Sequence, residues 1–371
     1  MDLSKDLLKE SSPTITSGHP LNARFCTNPH DLIMYDIISI GDTTLDCFLT
    51  LSDSEADLRC ELKKHTTEIC FNYAGKIPVD GLDFSLGGNA ANVAVGLKRQ
   101  GFNAGLYSVC GEDEVGRIIS EKIEMEGLSK EFIQMEAVRS SYSTIINYRK
   151  ERTILEKRFP HHYQLPSNFP VAKFMYVSSL GPDYEEFFAK LANYVKEKGI
   201  KLGFNPAQPQ LRSKFETYEA LVKASHFIFV NKEEAIQLLS TTKQSVPKEV
   251  LGGEWGNTGF TWAMKAISTR GPRYVIITDG LNGAYCLDGE KYYHCEIFPV
   301  QAVEATGAGD AFASGFMGAI MHGKSTADAM RWGMVNSASV VTKIGAMAGL
   351  LSKIEIEERL LKRPGFGPRE I

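Results

Sequence analysis

From residue 35 onward, short apolar runs of strand type alternate with amphipathic segments of helical period. The first run, Tyr-Asp-Ile-Ile-Ser-Ile from Tyr35, is rich in β-branched residues and ends at Gly41, which predicts a buried central strand. Further strands are predicted at 103–109, 174–180, 201–205, 225–230, 273–278 and 283–288, and helices at 89–100, 116–126, 184–198, 259–269, 309–322 and 326–341. This order predicts an α/β fold with helices on both faces of a mostly parallel sheet and ligands at the carboxyl ends of its strands.

Two other stretches, Cys47 to Leu86 and Tyr142 to Leu155, follow a two-residue period broken by turn residues. They predict short antiparallel strands with one face in water, which together form a small sheet apart from the main one. Residues 241–258 show no period and predict an irregular loop. Residues 1–30 also lack sustained periodicity, which predicts a flexible N-terminal extension ahead of one domain at 31–371.

Composition narrows the classes of partner. The 371 residues are 43% hydrophobic and carry a formal net charge of -4, so no general attraction to nucleic acid or to anionic lipid is expected. No apolar stretch has the length of a signal peptide or a membrane span. We therefore expect a cytoplasmic protein that binds a small molecule and neither nucleic acid nor membrane.

The segment 305–312 (ATGAGDAF) carries the strongest chemical signal, because small residues lead directly into an amphipathic helix. Without bulky side chains, the backbone N–H groups of Gly307, Ala308 and Gly309 can approach an anion closely, and the helix dipole favours negative charge there. Asp310, in the first helical turn, can accept the proton of a hydroxyl that attacks the group bound at this anion hole. Spacing alone leaves a second interpretation open, in which the Asp only satisfies the helix start.

The segment 87–94 (GGNAANVA) likewise places two glycines at a helix start. These glycines again indicate that a ligand can approach the backbone closely. Asn89 offers both a donor and an acceptor, which suits a ligand with several hydroxyls, although Asn is also a common N-cap residue.

Together these segments resemble the two signature motifs of the PfkB family of carbohydrate kinases, also called the ribokinase-like family. The resemblance spans roughly residues 35 to 360. Its ordered motifs are Gly41-Asp42 with Asp46 after it, Gly87-Gly88-Asn89, Gly111-Glu112-Asp113-x-x-Gly116, Asn231-x-x-Glu234, Thr278-x-Gly280-x-x-Gly283 and Gly307-Ala308-Gly309-Asp310.

The resemblance implies a ribokinase-like, three-layer α/β/α Rossmann-like domain with a mostly parallel central sheet and a small β-sheet lid. The lid would be built from about 47–86 and 140–158. The acceptor would lie beneath it, bound by Asp46, Gly87, Gly88 and Asn89. By itself, Asp46 is equally well explained as an exposed turn carboxylate.

The resemblance also implies a site for ATP and Mg²⁺. Asn231 and Glu234 would organise the metal and the phosphates, with Glu234 holding Mg²⁺ through water, as suits an ion that keeps several waters. The alternative is a capping box at an ordinary helix start.

Thr278, Gly280 and Gly283 match the positions that bind phosphates and ribose in this family. Asn336, on a late helix, matches the adenine side, although a polar residue on such a helix is often only a packing group. One departure is Glu304, since the family often has Asp there in a loop that helps bind a monovalent cation. A K⁺ requirement is therefore in doubt.

The sequence thus predicts an ATP-dependent carbohydrate kinase with Asp310 as base. A nucleoside kinase of adenosine or inosine type on the same scaffold remains open, as does a non-catalytic protein that senses sugars or nucleotides, although the intact Asp310 argues against the latter. A dinucleotide-dependent oxidoreductase is disfavoured, because residues 41–46 (GDTTLD) lack a Gly-x-Gly-x-x-Gly turn after the first strand. A partly covered lid sheet also suggests a homodimer through the lid.

Overall fold

The computed structural model describes residues 35–52, 57–61, 66–148, 151–242, 245–253 and 255–371. The predicted extension at 1–30 lies outside them. The strands are β1 (Tyr35–Ile40), β2 (Thr44–Thr50), β3 (Asp57–Glu61), β4 (Thr66–Cys70), β5 (Gly81–Gly87), β6 (Ala104–Gly111), β7 (Ile133–Glu136), β8 (Tyr142–Tyr148), β9 (Glu151–Lys157), β10 (Ala172–Val177), β11 (Lys201–Phe204), β12 (Ser225–Asn231), β13 (Tyr274–Thr278), β14 (Ala284–Asp288), β15 (Lys291–Cys295) and β16 (Arg369–Glu370). The α-helices are α1 (Asn89–Arg99), α2 (Glu114–Met125), α3 (Glu185–Lys198), α4 (Gln208–Leu211), α5 (Glu219–Ala224), α6 (Lys232–Ser240), α7 (Lys248–Leu251), α8 (Asn257–Ser268), α9 (Ala308–Met321), α10 (Thr326–Val340) and α11 (Lys353–Leu361).

A ten-stranded sheet forms the centre of the molecule, in the order β16-β15-β14-β13-β12-β11-β10-β1-β6-β7. The strands from β13 to β7 pair in parallel, whereas β14, β15 and β16 pair antiparallel at one edge. An extended strand cannot hydrogen-bond its own backbone, so neighbouring strands pair and satisfy each other's N–H and C=O groups. The predicted mostly parallel sheet is confirmed.

Helices cover both faces of this sheet because its strands are apolar on both sides. Ile38 and Ile40 of β1 pack in one core cluster with α3, α5, α6 and α8. Ile37 points the other way, into a second cluster with α1, α2, α9 and α10. This alternation within one strand produces the three-layer α/β/α arrangement.

A second, four-stranded sheet has the order β5-β2-β8-β9 and is called the lid below. Its β5–β2 and β8–β9 pairs are antiparallel, as predicted, but β2 and β8 pair in parallel. A two-residue period shows which side chains share a face of a strand, but it does not show the direction of the neighbouring strand. The parallel pairing of β2 with β8 could therefore not be predicted from the sequence. The hairpin β3–β4 forms a separate two-stranded sheet.

Two predicted boundaries differ from the structure. The described part of 241–258 contains the helical turn α7 and the start of α8 rather than only an irregular loop, and Pro247 precedes α7 as its N-cap. Helix α2 begins at Glu114, two positions before the prediction, because Asp113 Oδ1 accepts a 2.8 Å hydrogen bond from the Gly116 N–H.

Candidate active site

Polar side chains gather where the parallel strands of the main sheet end. Asn205 follows β11, Asn231 ends β12 and Thr278 ends β13, so all three lie at one edge. The N-terminus of α9 shares with them a cavity of about 220 Å³. The cavity is lined by Asn89, Arg152, Tyr176, Asn205, Phe229, Val230, Asn231, Glu234, Ile276, Thr278, Ala305, Gly307, Ala308, Gly309, Asp310 and Phe312.

The start of α9 combines a glycine that no larger residue can replace with open space beside the helix end. Gly307 has φ 76, and a Cβ there would lie 2.5 Å from Ala346 Cβ, so a larger residue does not fit. A Cβ on Gly309 would meet nothing within 4 Å, and this open space adjoins the cavity. The Ala308 N–H makes a long 3.4 Å bond to Ala305 O. Since the first N–H groups of a helix lack partners within it, this end is suited to hold a phosphate.

Asp310 lies in the first turn of α9 and is 8% exposed. Its Oδ2 accepts a 2.7 Å hydrogen bond from Asn92 Nδ2. Burial is the main cause that raises the pKa of Asp310 to about 7; the charge of Glu234 acts in the same direction, whereas the amides of Asn92 and Asn89 lower it. A carboxyl group with a pKa near neutrality can both take and release a proton at working pH.

Asp46 lies on β2 of the lid and is buried, which removes the interpretation as an exposed turn carboxylate. Burial raises its pKa to about 6, and its Oδ1 accepts a 2.7 Å hydrogen bond from Thr44 Oγ1. A Cβ on Gly87 would lie 2.2 Å from Asp46 Oδ2. Gly87 is therefore required for the position of the Asp46 carboxylate.

Gly88 caps the start of α1 with φ 100, and a Cβ there would lie 2.3 Å from Asp42 O. Asn89 follows and lines the cavity together with Asp310; its Nδ2 lies 3.4 Å from Asn205 Oδ1. Asp46, Gly87 and Gly88 do not line this cavity. The structure thus brings Asn89 to the candidate base and places the other three predicted acceptor residues around the adjoining lid strands.

Asn231 and Glu234 combine a capping box with a position beside the cavity. They form a capping box at the start of α6, in which Asn231 Oδ1 accepts from the Glu234 N–H at 2.8 Å and Glu234 Oε2 accepts from the Asn231 N–H at 2.9 Å. Both also line the cavity. Burial raises the pKa of Glu234 to about 6.

These residues fit Mg²⁺ only as a sparse site. Among the described residues, no group of three or more His, Cys, Asp or Glu side chains could hold a metal ion. One carboxylate, with water and phosphate oxygens, is nevertheless a donor set that Mg²⁺ accepts. Glu234 would hold the ion through water.

Thr278 lines the cavity, whereas Gly280 and Gly283 lie in the 3₁₀ turn that follows it. Gly283 has φ 90, and a Cβ there would lie 2.1 Å from Cys295 O, so the turn needs glycine to pack against β15. The loop that is predicted to contact the nucleotide is therefore fixed by the sheet next to it.

Asn336 lies apart from the cavity. It is fully buried; its Nδ2 donates to Ala311 O at 2.8 Å and to Ser314 Oγ at 3.1 Å, and its Oδ1 accepts from the Leu351 N–H at 2.9 Å. These contacts fit the packing role that the sequence left open, and the nucleotide contact of Asn336 stays a prediction.

Glu304 is 4% exposed, and its carboxylate is held by groups of the protein. Its Oε1 accepts from the Thr306 N–H at 2.5 Å, and its Oε2 accepts from the Gly345 N–H at 3.2 Å. The guanidinium of Arg152 lies 3.8 Å from Oε1. This carboxylate already has two donors and a nearby positive charge.

Sequence reasoning missed three residues of this region. Asn92 could have been found, because it lies one helical turn after Asn89 on the same face of α1. Arg152 reaches the cavity from the lid, and Tyr163 donates to Asp42 Oδ1 at 2.9 Å. Both contacts join distant segments, so no local pattern could indicate them.

The described residues include no helix with the length and apolar character needed to cross a membrane.

Comparisons with known proteins agree with this fold. A model of the pfkB family of carbohydrate kinases matches residues 57–353. A cytidine kinase from Thermococcus kodakarensis is 24% identical over 266 residues, which cover 70% of this chain and 88% of that protein. A ribokinase from Haemophilus influenzae is 26% identical over 284 residues, covering 74% and 87%.

A solved structure of Arabidopsis thaliana ribokinase complexed with ribose and ATP aligns with a TM-score of 0.69 at 17% identity, covering 88% of this chain and 99% of that one. It shows the ribokinase-like fold, as predicted. Since the family model matches most of the sequence, the chain belongs to the pfkB family of carbohydrate kinases, which are phosphotransferases.

Proposed function

We propose that this protein transfers the γ-phosphoryl group of ATP to a hydroxyl of a small sugar, with Asp310 as the general base. The observation that carries the proposal is the shared cavity of a buried carboxyl group, whose pKa lies near 7, and the N-terminus of α9. One helix start thus combines a base with an anion hole at Gly307, Ala308 and Gly309.

In the proposed step, the acceptor hydroxyl gives its proton to the Asp310 carboxylate while its oxygen forms a bond to the γ-phosphorus. The bond from that phosphorus to the bridging oxygen breaks, and its electron pair leaves with ADP. The amides of the anion hole stabilise the charge on the transferred group. Asn92 holds the Asp310 carboxylate in place.

Asn231, Glu234, Thr278, Gly280 and Gly283 are proposed to hold the nucleotide and its metal. When Mg²⁺ is bound, it neutralises charge on the phosphates. No monovalent cation is included, because each oxygen of the Glu304 carboxylate already accepts a backbone hydrogen bond. Turnover should accordingly be the same in potassium and in tetramethylammonium salts.

The acceptor is proposed to bind between the lid and the main sheet, at Asp46, Gly87, Gly88 and Asn89. Carboxylate and amide groups suit a ligand with several hydroxyls, which sugars and the ribose of nucleosides share. A nucleoside acceptor is the second candidate, because the similar proteins include a cytidine kinase as well as a ribokinase.

The test is ADP release from Mg-ATP with a panel of pentoses, ketohexoses, keto-deoxy acids and nucleosides. Native protein and Asp310→Asn are compared, with the exposed Asp80→Asn as a control that removes a surface carboxylate just before β5. Loss of the base is expected to lower kcat by about 10³-fold or more, while acceptor binding measured by calorimetry persists. Asp310→Asn with near-native turnover would refute the role of Asp310, and native protein that binds an acceptor without turnover would favour a sensing protein.

A homodimer through the lid is also proposed. Leu82, Phe84 and Leu155 are 56%, 49% and 57% exposed, and the register of the lid strands places them on one face, opposite to that of Asp46. A second copy would cover this apolar face. Light scattering tests it: a native dimer that Phe84→Glu converts to a monomer is expected, and a native monomer at working concentration contradicts it.

A further inference from the structure

Of the described residues that line the cavity, Arg152 carries the one positive charge. Two other lining residues, Glu234 and Asp310, are carboxylic acids and can carry only negative charge. ATP brings several negative charges to such a cavity, and phosphoryl transfer spreads negative charge over the oxygens of the transferred group. The amides of the anion hole supply only partial charges. Besides a bound metal ion, a cationic side chain can balance this charge, and among these residues only Arg152, on the lid, is cationic.

The register of the lid directs Arg152 towards the acceptor side. Arg152 of β9 pairs with Asn147 of β8, which in turn pairs with Thr50 of β2. Thr50 and Asp46 are separated by an even number of positions on one strand, so their side chains share a face. Arg152 and Asp46 accordingly lie on the same face of the lid, the face that meets the main sheet.

The position of Arg152 is set by the loop before α9. Its Nη1 lies 3.8 Å from Glu304 Oε1, and Glu304 itself is held by the Thr306 and Gly345 N–H groups. A distance of 3.8 Å is too long for a hydrogen bond, so this contact attracts the guanidinium without using its donors. The side chain is 31% exposed, which leaves the head accessible from the cavity.

We propose that Arg152 binds the transferred phosphoryl group and stabilises its charge during transfer. This inference rests on the kinase reaction proposed above and adds a residue to it. The planar guanidinium matches two phosphate oxygens at once and remains charged throughout, so it moves no proton. Glu304 keeps it beside the anion hole when the lid is closed. The lid then contributes directly to the chemistry in addition to covering the acceptor.

The test compares the steady-state kinetics of native protein, Arg152→Ala and Lys157→Ala. Lys157 is a matched control, because it is an exposed cation on the same strand whose side chain lies on the opposite face. For Arg152→Ala, kcat is expected to fall by about 10² to 10³-fold, as when one charge-stabilising donor is lost, with little change in the KM of the acceptor. Lys157→Ala is expected to retain native kcat.

Free guanidinium ion at millimolar concentration then separates a chemical role from a structural one. It should restore part of the kcat of Arg152→Ala and leave native protein unaffected, whereas damage to the fold would not be rescued. A kcat of Arg152→Ala close to the native value, a rise confined to the acceptor KM, or a loss without rescue would each overturn the proposal. Native protein inactive with every acceptor would instead refute the kinase reaction itself, so the two failures are distinguishable.

Discussion

Replacing Asp310 with Asn should stabilise the fold above neutral pH while it abolishes turnover. The pKa of this carboxyl is raised from 3.8 to about 7, chiefly by burial. Between about pH 4 and pH 7 the unfolded chain therefore releases a proton that the folded protein keeps, and the folded state becomes relatively less stable as the pH rises. The shift is about three pKa units at ~1.4 kcal/mol each, or about 4 kcal/mol at pH 7 and above.

Asn cannot ionise, has nearly the same shape as Asp and can still hydrogen-bond to Asn92. The variant therefore lacks the loss of stability that ionisation of Asp310 causes in native protein. The free energy of unfolding in urea, measured from about pH 4 to about pH 8, should show a gap between variant and native protein that grows over this window and then levels off. Asp80→Asn again serves as the surface control. A gap that stays constant with pH, or that favours native protein at high pH, would refute the reasoning.

Three further predictions follow from contacts described above. Glu234→Gln removes a negative charge that raises the pKa of Asp310. The acid limb of the pH profile of kcat/KM, recorded at saturating Mg²⁺, should therefore move to lower pH. An acid limb at the native pH or at a higher pH would contradict this. Gly87→Ala places a Cβ against the Asp46 carboxylate, so kcat/KM for the acceptor should fall on the order of 10²-fold while the KM for ATP is unchanged. An unchanged kcat/KM for the acceptor would show that the position of the Asp46 carboxylate does not matter for turnover. Asn336→Leu leaves the Leu351 N–H without its hydrogen-bond partner, so the free energy of unfolding in urea should fall by about 1–3 kcal/mol. The KM for ATP should not change; a raised KM would instead support the predicted contact between Asn336 and the nucleotide.

The sequence predicted well those features that depend on neighbouring residues. The period of β1 and the small residues before α9 gave the sheet and the helix start, because burial and backbone geometry act locally there. The capping box at Asn231 and Glu234 was also foreseen as a local alternative, and the structure shows that the same two residues line the cavity as well.

The features that could not be predicted from the sequence depend on which distant segments of the chain come into contact. Arg152 has no pattern around it that indicates a cavity, because its place follows from the pairing of β8 with β9 and of β8 with β2. Asn336 shows how far a family position can be interpreted from sequence. A polar residue on a late helix matched a family position, but three hydrogen bonds within the protein occupy its amide.

The parallel pairing of β2 with β8 has a consequence for folding. Leu45 pairs with Tyr142, and between them the chain builds α1, β6, α2 and β7. Closing so long a loop costs entropy that only later contacts repay, so the lid is expected to form after the main sheet and to open before it. Amide hydrogens of β2 and β8 should then exchange with solvent sooner than those of β1 and β12. The acceptor site would be the last part of the protein to appear as the chain folds.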